Sequence, residues 1–172
     1  MKKEAKKIFF KEEYFLIFLL LLLASFTRFI YFGHPNQIVF DEVYFARFTA
    51  NYFQGKFYFD IHPPLAKLMM YFWAKIFKAQ PPFDFAFEHI GDPYPNDFYK
   101  YLRSFVSLFG VILPLGVYFL TKELFKNIWP AFFSGLLVIF DNALLVQSRY
   151  ILMDVLLLVF GIFGLYFFLR HF

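Results

Sequence analysis

The sequence contains no cysteine, which excludes disulfides and thiolate-held metal sites. Its four histidines, His34, His62, His89 and His171, are widely spaced and form no metal-ligating motif. No metal and no cofactor is therefore expected. Internal repeats and low-complexity linkers are also missing. The net charge is +4, but the basic residues cluster at the N-terminus or scatter among apolar segments, which is not the footprint of a nucleic-acid-binding protein. The basic start, with Lys2, Lys3, Lys6, Lys7 and Lys11, precedes an apolar run. That run exceeds the ~7–15 residues of a signal-peptide core, and no small-x-small cleavage site follows it. A retained helix is expected instead.

Apolar and aromatic residues are abundant. The chain of 172 residues is 60% hydrophobic and 26% aromatic, with 31 Phe, against roughly 45–50% apolar in soluble domains. Such a composition predicts an all-α membrane protein. Four transmembrane helices are expected, over 14–32, 104–121, 128–146 and 151–169. Nineteen residues at about 1.5 Å each approach the ~30 Å of a bilayer's hydrocarbon. A cytoplasmic basic segment, 1–13, precedes the first span. Residues 122–127 make a cytoplasmic turn with Lys122 and Lys126 as anchors, 147–150 an outer turn, and 170–172 a cytoplasmic end with Arg170. Both termini inside agrees with the positive-inside rule at each short loop.

Residues 33–103 form a long outer loop. From His34 on it holds seven acids (Asp41, Glu42, Asp60, Asp84, Glu88, Asp92, Asp97) and seven bases (Arg47, Lys56, Lys67, Lys75, Lys78, Lys100, Arg103). Two short helices are predicted inside it. The first runs from Asp41, an N-cap, to Gln54, with Gly55 as its stop. The second starts at Pro64 and runs to about Lys78. It sets Lys67, Tyr71, Lys75 and Lys78 on one side and apolar residues on most of the rest, the pattern of a helix lying in the membrane interface. Pro81-Pro82 ends it, and the turn-rich segment to Asn96 has no period.

This topology gathers seven ionisable groups at the outer membrane face: Arg28, Asp41, Glu42, Arg103, Asp141, Arg149 and Asp154. Charges at bilayer depth cost about 2.5–3.5 kcal/mol on insertion scales, so such a gathering points to function. It argues against a transporter, whose sites tend toward the midplane. Carboxylates beside arginines suit one task in particular. Arginines hold a phosphate through paired, charge-assisted hydrogen bonds, while a carboxylate takes a proton from an attacking hydroxyl. A sugar leaving a lipid phosphate through an oxocarbenium-like transition state fits both.

The residues then carry a resemblance. Val39-Phe40-Asp41-Glu42-Val43-Tyr44-Phe45 and Tyr58-Phe59-Asp60-Ile61-His62-Pro63-Pro64-Leu65-Ala66-Lys67 resemble the first outer loop of the protein O-mannosyltransferases. Phe83-Asp84-Phe85, Ile90-Gly91 and Tyr101-Leu102-Arg103 resemble its later part. Gln147-Ser148-Arg149-Tyr150-Ile151-Leu152-Met153-Asp154 resembles the family's turn between its third and fourth spans. The resemblance implies the N-terminal part of a GT-C glycosyltransferase. Such an enzyme moves mannose, with inversion, from a polyprenyl- or dolichyl-phosphate donor to Ser/Thr hydroxyls of an acceptor polypeptide. By position Asp41 would be the base and Glu42 would support the acceptor site. Arg28 and Arg103 would match functional arginines, with Arg103 on the phosphate side, and Arg149 joins them as a donor-phosphate candidate. Asp60 and His62 would shape the loop, with Asp154 as further site support.

Family members have many more spans, so the resemblance implies a fragment, or a split protein needing a second subunit. The site would face the periplasm or exterior, or the lumen of the endoplasmic reticulum in a eukaryote. Structural readings stand beside these: Asp41 as an N-cap, Glu42 as a first-turn acid favoured by the helix dipole, and Arg28 snorkelling from a span end. Arg103 reads equally as an interfacial anchor, Arg149 and Asp154 as an ion pair, and Asp141 as a cap. Two other functions stay open: a GT-C transferase with a lipid or glycan acceptor, and a non-catalytic assembly subunit.

Overall fold

The computed structural model describes residues 2–82 and 87–171, with side chains from residue 11 onward. Among them seven helices follow in order: α1 Lys2–Phe29, α2 Glu42–Gln54, α3 Leu65–Ile76, α4 Phe98–Phe125, α5 Ile128–Phe140, α6 Asn142–Gln147 and α7 Asp154–His171. No strand forms among these residues; one antiparallel bridge joins Gln37 to Pro93.

Helix α4 is the mast of the bundle, packed against α1, α5 and α7. Leu16, Leu20 and Ala24 recur every four residues on α1 and form the stripe it buries, together with Val111, Tyr118, Ile128, Ala131, Phe132 and Ile139. Small residues set the closest approaches, as expected where helices meet in an apolar solvent. A Cβ on Gly135 of α5 would stand 3.0 Å from Leu20 of α1 and 3.3 Å from the Pro114 carbonyl of α4, and one on Gly116 would stand 3.0 Å from the Phe163 ring of α7. Helix α7 turns Val155 and Val159 inward against Leu113 and leaves Leu157, Phe160, Phe167 and Phe168 exposed.

Both α4 and α7 are long and apolar enough to cross a membrane. Helix α4 begins at Phe98, ahead of residue 104, where the second span is expected to start. The basic residues 2–13 are part of α1, which begins at Lys2. The segment 128–146 is not one helix. Asp141 adopts an extended backbone, φ −65° and ψ 121°, and its carboxylate accepts from the Leu144 N–H at 2.8 Å, capping α6. The cap restarts the helix, leaving α5 at 13 residues, roughly 20 Å at 1.5 Å per residue.

At the end of the bundle distal to the outer loop, Lys122 pairs with Glu13 of α1 and Lys126 with Glu123. The Tyr118 hydroxyl also reaches Glu13, at 3.4 Å.

At the other end, α2 and α3 pack on each other, and α3 rests on the start of α4. The two loop helices begin and end as their sequence dictates: Asp41 precedes α2, Gly55 closes it with φ 63°, and Pro64 opens α3. Segment 36–38 is stitched to 91–94 by three backbone hydrogen bonds of 2.9–3.0 Å. Ile38, Val43, Phe45, Met70, Phe87, Phe98, Leu102 and Ile151 form the core beneath this cap. Lys67 does not sit on a solvated face as expected: it is 1% exposed and paired with Asp60. Phe83-Asp84-Phe85 lies outside the described residues.

Gly110 of α4 is the tightest approach between α4 and the turn ahead of α7. A Cβ there would overlap Ser148 Cβ and come within 3.3 Å of Arg28 Cγ. Because Ser148 Cβ sits directly on the backbone, rotamer changes cannot relieve the overlap. Gly110→Ala is expected to cost about 1–3 kcal/mol, read as a lowered unfolding midpoint in detergent.

Candidate active site

The adjacent acids Asp41 and Glu42 have opposite environments. Successive residues at a helix start point about 100° apart, so one can turn into the protein while the other faces out. Glu42 is fully buried. Five donors converge on its carboxylate: Arg103 Nε at 2.8 Å and the Ile151 N–H at 2.9 Å on Oε1, and Arg103 Nη2 at 2.7 Å, the Val39 N–H at 2.9 Å and the Tyr94 hydroxyl at 3.2 Å on Oε2. Burial, together with this carboxylate, pushes the Tyr94 phenol well above its ordinary pKa, so it stays protonated and donates. A carboxylate offers about four lone-pair sites, so Glu42 has none left for a substrate.

Arg103 is spent in the same way. Besides its two bonds to Glu42, Nη1 donates to the carbonyls of Gly33 at 3.3 Å and Pro35 at 2.7 Å, and Nη2 to that of Gln37 at 2.9 Å. All five guanidinium N–H groups are engaged, and the Tyr99 and Tyr150 rings stack on its carbon at 4.8 and 4.9 Å, a favourable cation–π distance. These bonds tie residues 33–37 to the start of α4. Arg28 is likewise fully buried. It donates to the Ile139 carbonyl at 2.9 Å and the Val138 carbonyl at 3.3 Å, tying α1 to the last turn of α5. Its Nε is buried without a partner, whereas the free donors of Arg149 belong to a half-buried side chain. Its Nη2 holds the Ile30 carbonyl at 2.5 Å, and no other nitrogen of the side chain is bonded among the described residues. Arg149 and Asp154 do not pair.

Asp41 is exposed and its carboxylate caps nothing; the α2 start is held instead by its backbone carbonyl, which accepts from Tyr44 and Phe45 at 2.9 and 3.0 Å. The side chain opens on a cleft of about 300 Å³ with Phe45, His62, Pro63, Leu65, Met153 and Asp154 among its walls. The starts of α2, α3 and α7 all border this cleft, and helix N-termini favour anionic groups. A neighbouring cavity of about 310 Å³ shares Asp41 and His62 and is walled by Tyr44, Phe48, Phe59 and Ile61.

His62 is fixed from behind. Asp60 accepts from the His62 N–H at 3.1 Å and meets its Nδ1 at 2.9 Å, and buried Lys67 binds both Asp60 and the His62 carbonyl. Burial alone would raise the Asp60 carboxyl, but the bonds from Lys67 and His62 hold it at about 2, below the ordinary 3.8. A carboxyl depressed on folding contributes stability above its unfolded pKa and loses it as pH falls through the folded one. The tether of residues 60–67 is thus expected to be intact above pH about 4 and to weaken from there down to about 2. Exchange of the His62 amide, the N–H that Asp60 holds, as a function of pH checks this.

Around the Glu42–Arg103 pair stand Tyr94, Tyr99, Tyr150 and the Ile151 N–H, to which sequence patterns gave no role; the signal for the tyrosines was their abundance near Arg103.

Fold and site together define an all-helical membrane protein whose polar machinery is collected at one end of its bundle. The family model for dolichyl-phosphate-mannose-protein mannosyltransferase matches residues 18–172, and the chain belongs to that family. It is 36% identical over 164 residues to dolichyl-phosphate-mannose–protein mannosyltransferase 4 of Schizosaccharomyces pombe, covering 94% of this chain and 21% of that protein. It is 38% identical over 147 residues to protein O-mannosyltransferase 1 of Drosophila pseudoobscura pseudoobscura, covering 85% and 16%. The solved S. cerevisiae protein O-mannosyltransferase Pmt1-Pmt2 complex bound to the sugar donor superposes with a TM-score of 0.86 at 31% identity, over 93% of this chain and 22% of the solved one. The chain therefore spans about a fifth of the length of these relatives.

Proposed function

We propose that the chain is the N-terminal part of a membrane mannosyltransferase, with Asp41 as the base that activates a Ser/Thr hydroxyl of an acceptor polypeptide. One observation carries the reading: of two adjacent acids, Glu42 is saturated and buried, while the Asp41 side chain stands in a cleft with no partner among the described residues. The hydroxyl oxygen attacks the anomeric carbon and its proton passes to Asp41. The bond to the lipid phosphate breaks, its electron pair leaves with the phosphate, and the configuration inverts. The names of the relatives supply the donor class, a dolichyl-phosphate mannose. The helix N-termini around the cleft, and the unspent donors of Arg149, favour the departing phosphate. Arg28 and Arg103 act behind the site by holding its backbone, with Asp60, His62 and Asp154 as its walls. The transfer runs without a resident metal.

Four spans, with the N-terminus cytoplasmic and the site on the outer or lumenal face, fit the charge pattern. Further spans or a second subunit complete the donor groove; the solved neighbour is a complex of two subunits.

The test uses the full-length protein in vesicles, with a polyprenyl-phosphate-mannose donor and a Ser-containing peptide. Mannosyl peptide of inverted configuration, formed equally in EDTA, is expected. Transfer only to a lipid or glycan acceptor would overturn the acceptor class, and a retained configuration would overturn the single-base mechanism.

A further inference from the structure

Residues 56–60 run from the end of α2 toward His62 without turn or bend, and no residue there has a positive φ. Exposure alternates along them with the period of a strand. Phe57, Phe59 and Ile61 are 94%, 79% and 82% exposed, while Tyr58 stacks on Phe48 at 4.5 Å and Asp60 is tied to Lys67 and His62. Among the described residues, the backbone N–H and C=O groups of 57–61 form no hydrogen bond. Residues 56–60 are thus an unbent stretch that bends at Ile61, anchored through Tyr58 and Asp60, with the backbone pairing groups of 57–61 unused. It is also continuous with the candidate active site, since Phe59 and Ile61 share a cavity wall with Asp41.

Resting on the function proposed above, we propose that residues 57–61 are the docking strand for the acceptor polypeptide. The acceptor pairs with them in extended conformation and is thereby threaded past Asp41. An unpaired strand edge is a template for another chain, with backbone hydrogen bonds supplying affinity and alternate side chains supplying preference. The outward Phe57, Phe59 and Ile61 offer the apolar cross-strand contacts that stabilise such pairing. Because the recognised groups are mostly backbone, the site takes many sequences, provided they are unfolded locally. A folded acceptor, whose backbone is already paired, is refused.

The test is a scan of backbone N-methyl groups along a Ser-containing acceptor peptide, assayed with the full-length enzyme in vesicles. Methylation removes one donor at a time, and a hydrogen bond is worth roughly 0.5–1.5 kcal/mol, or about 2- to 12-fold. KM for the peptide should rise by that factor at every second position and not at those between, with KM for the lipid donor unchanged. Phe59→Ser and Phe57→Ser should raise peptide KM and leave donor KM as it was. A flat or aperiodic scan would overturn the strand pairing, as would Phe57→Ser and Phe59→Ser variants whose peptide KM stays at the wild-type value, which would assign the aromatics to the lipid surface. Failure of the underlying function looks different: no peptide is mannosylated at all, whatever its backbone.

Discussion

Asp41→Asn in the full-length enzyme is expected to lower mannose transfer by about 10²- to 10⁴-fold, the usual contribution of a positioned acid–base group, with donor binding and the unfolding midpoint unchanged. The stability half of this expectation follows from the side chain's surroundings. Its carboxylate caps no helix and takes part in no ion pair, so the amide removes nothing the fold uses. Asn is also a good residue at a helix start. The activity half follows from chemistry: an amide cannot accept the hydroxyl proton at neutral pH. The measurement is single-turnover transfer beside thermal unfolding of the same preparation. Transfer within a few-fold of wild type would remove Asp41 from the chemistry.

Glu42→Ala should behave in the opposite way. It strands the Arg103 guanidinium in a site where that side chain is 1% exposed, and it removes the acceptor of the Ile151 and Val39 N–H groups. Breaking a buried ion pair from one side costs about 3–5 kcal/mol. The loss should appear as a lower unfolding midpoint and as protease sensitivity in 33–40. Arg103→Met should cost a similar amount, and the Glu42→Ala, Arg103→Met pair should cost less than the sum, because neither partner is then left charged and alone. Additive single effects would show that the two residues do not act as a unit. Paired in this way, the acids separate two quantities that a joint Asp41, Glu42 deletion would confound. One variant should be stable and inactive, the other unstable with an intact base.

Local rules reached some of this and stopped where partners are distant. The start of α2 just after Asp41 and its stop at Gly55 were legible in neighbouring residues, although the cap bond expected of the Asp41 carboxylate does not form. So was the Asp41-Glu42 pair, although nothing local told the two apart. What divides them is Arg103, 61 residues away. Lys67 was placed on a wet helix side by its period; its ion partner lies seven residues earlier, across the Pro63-Pro64 corner, where helical periodicity carries no information. The break at Asp141 was hidden because the apolar run continues through it. The residue itself had been marked as a cap, but a hydropathy average does not register a single polar residue that restarts a helix.

The Glu42 knot also fixes an order of events during synthesis. The donor from Ile151 lies 109 residues beyond the acid that receives it, past α4, α5 and α6. All three helices are therefore synthesised before the last of the knot's five fasteners, and the knot closes only when the turn between α6 and α7 follows.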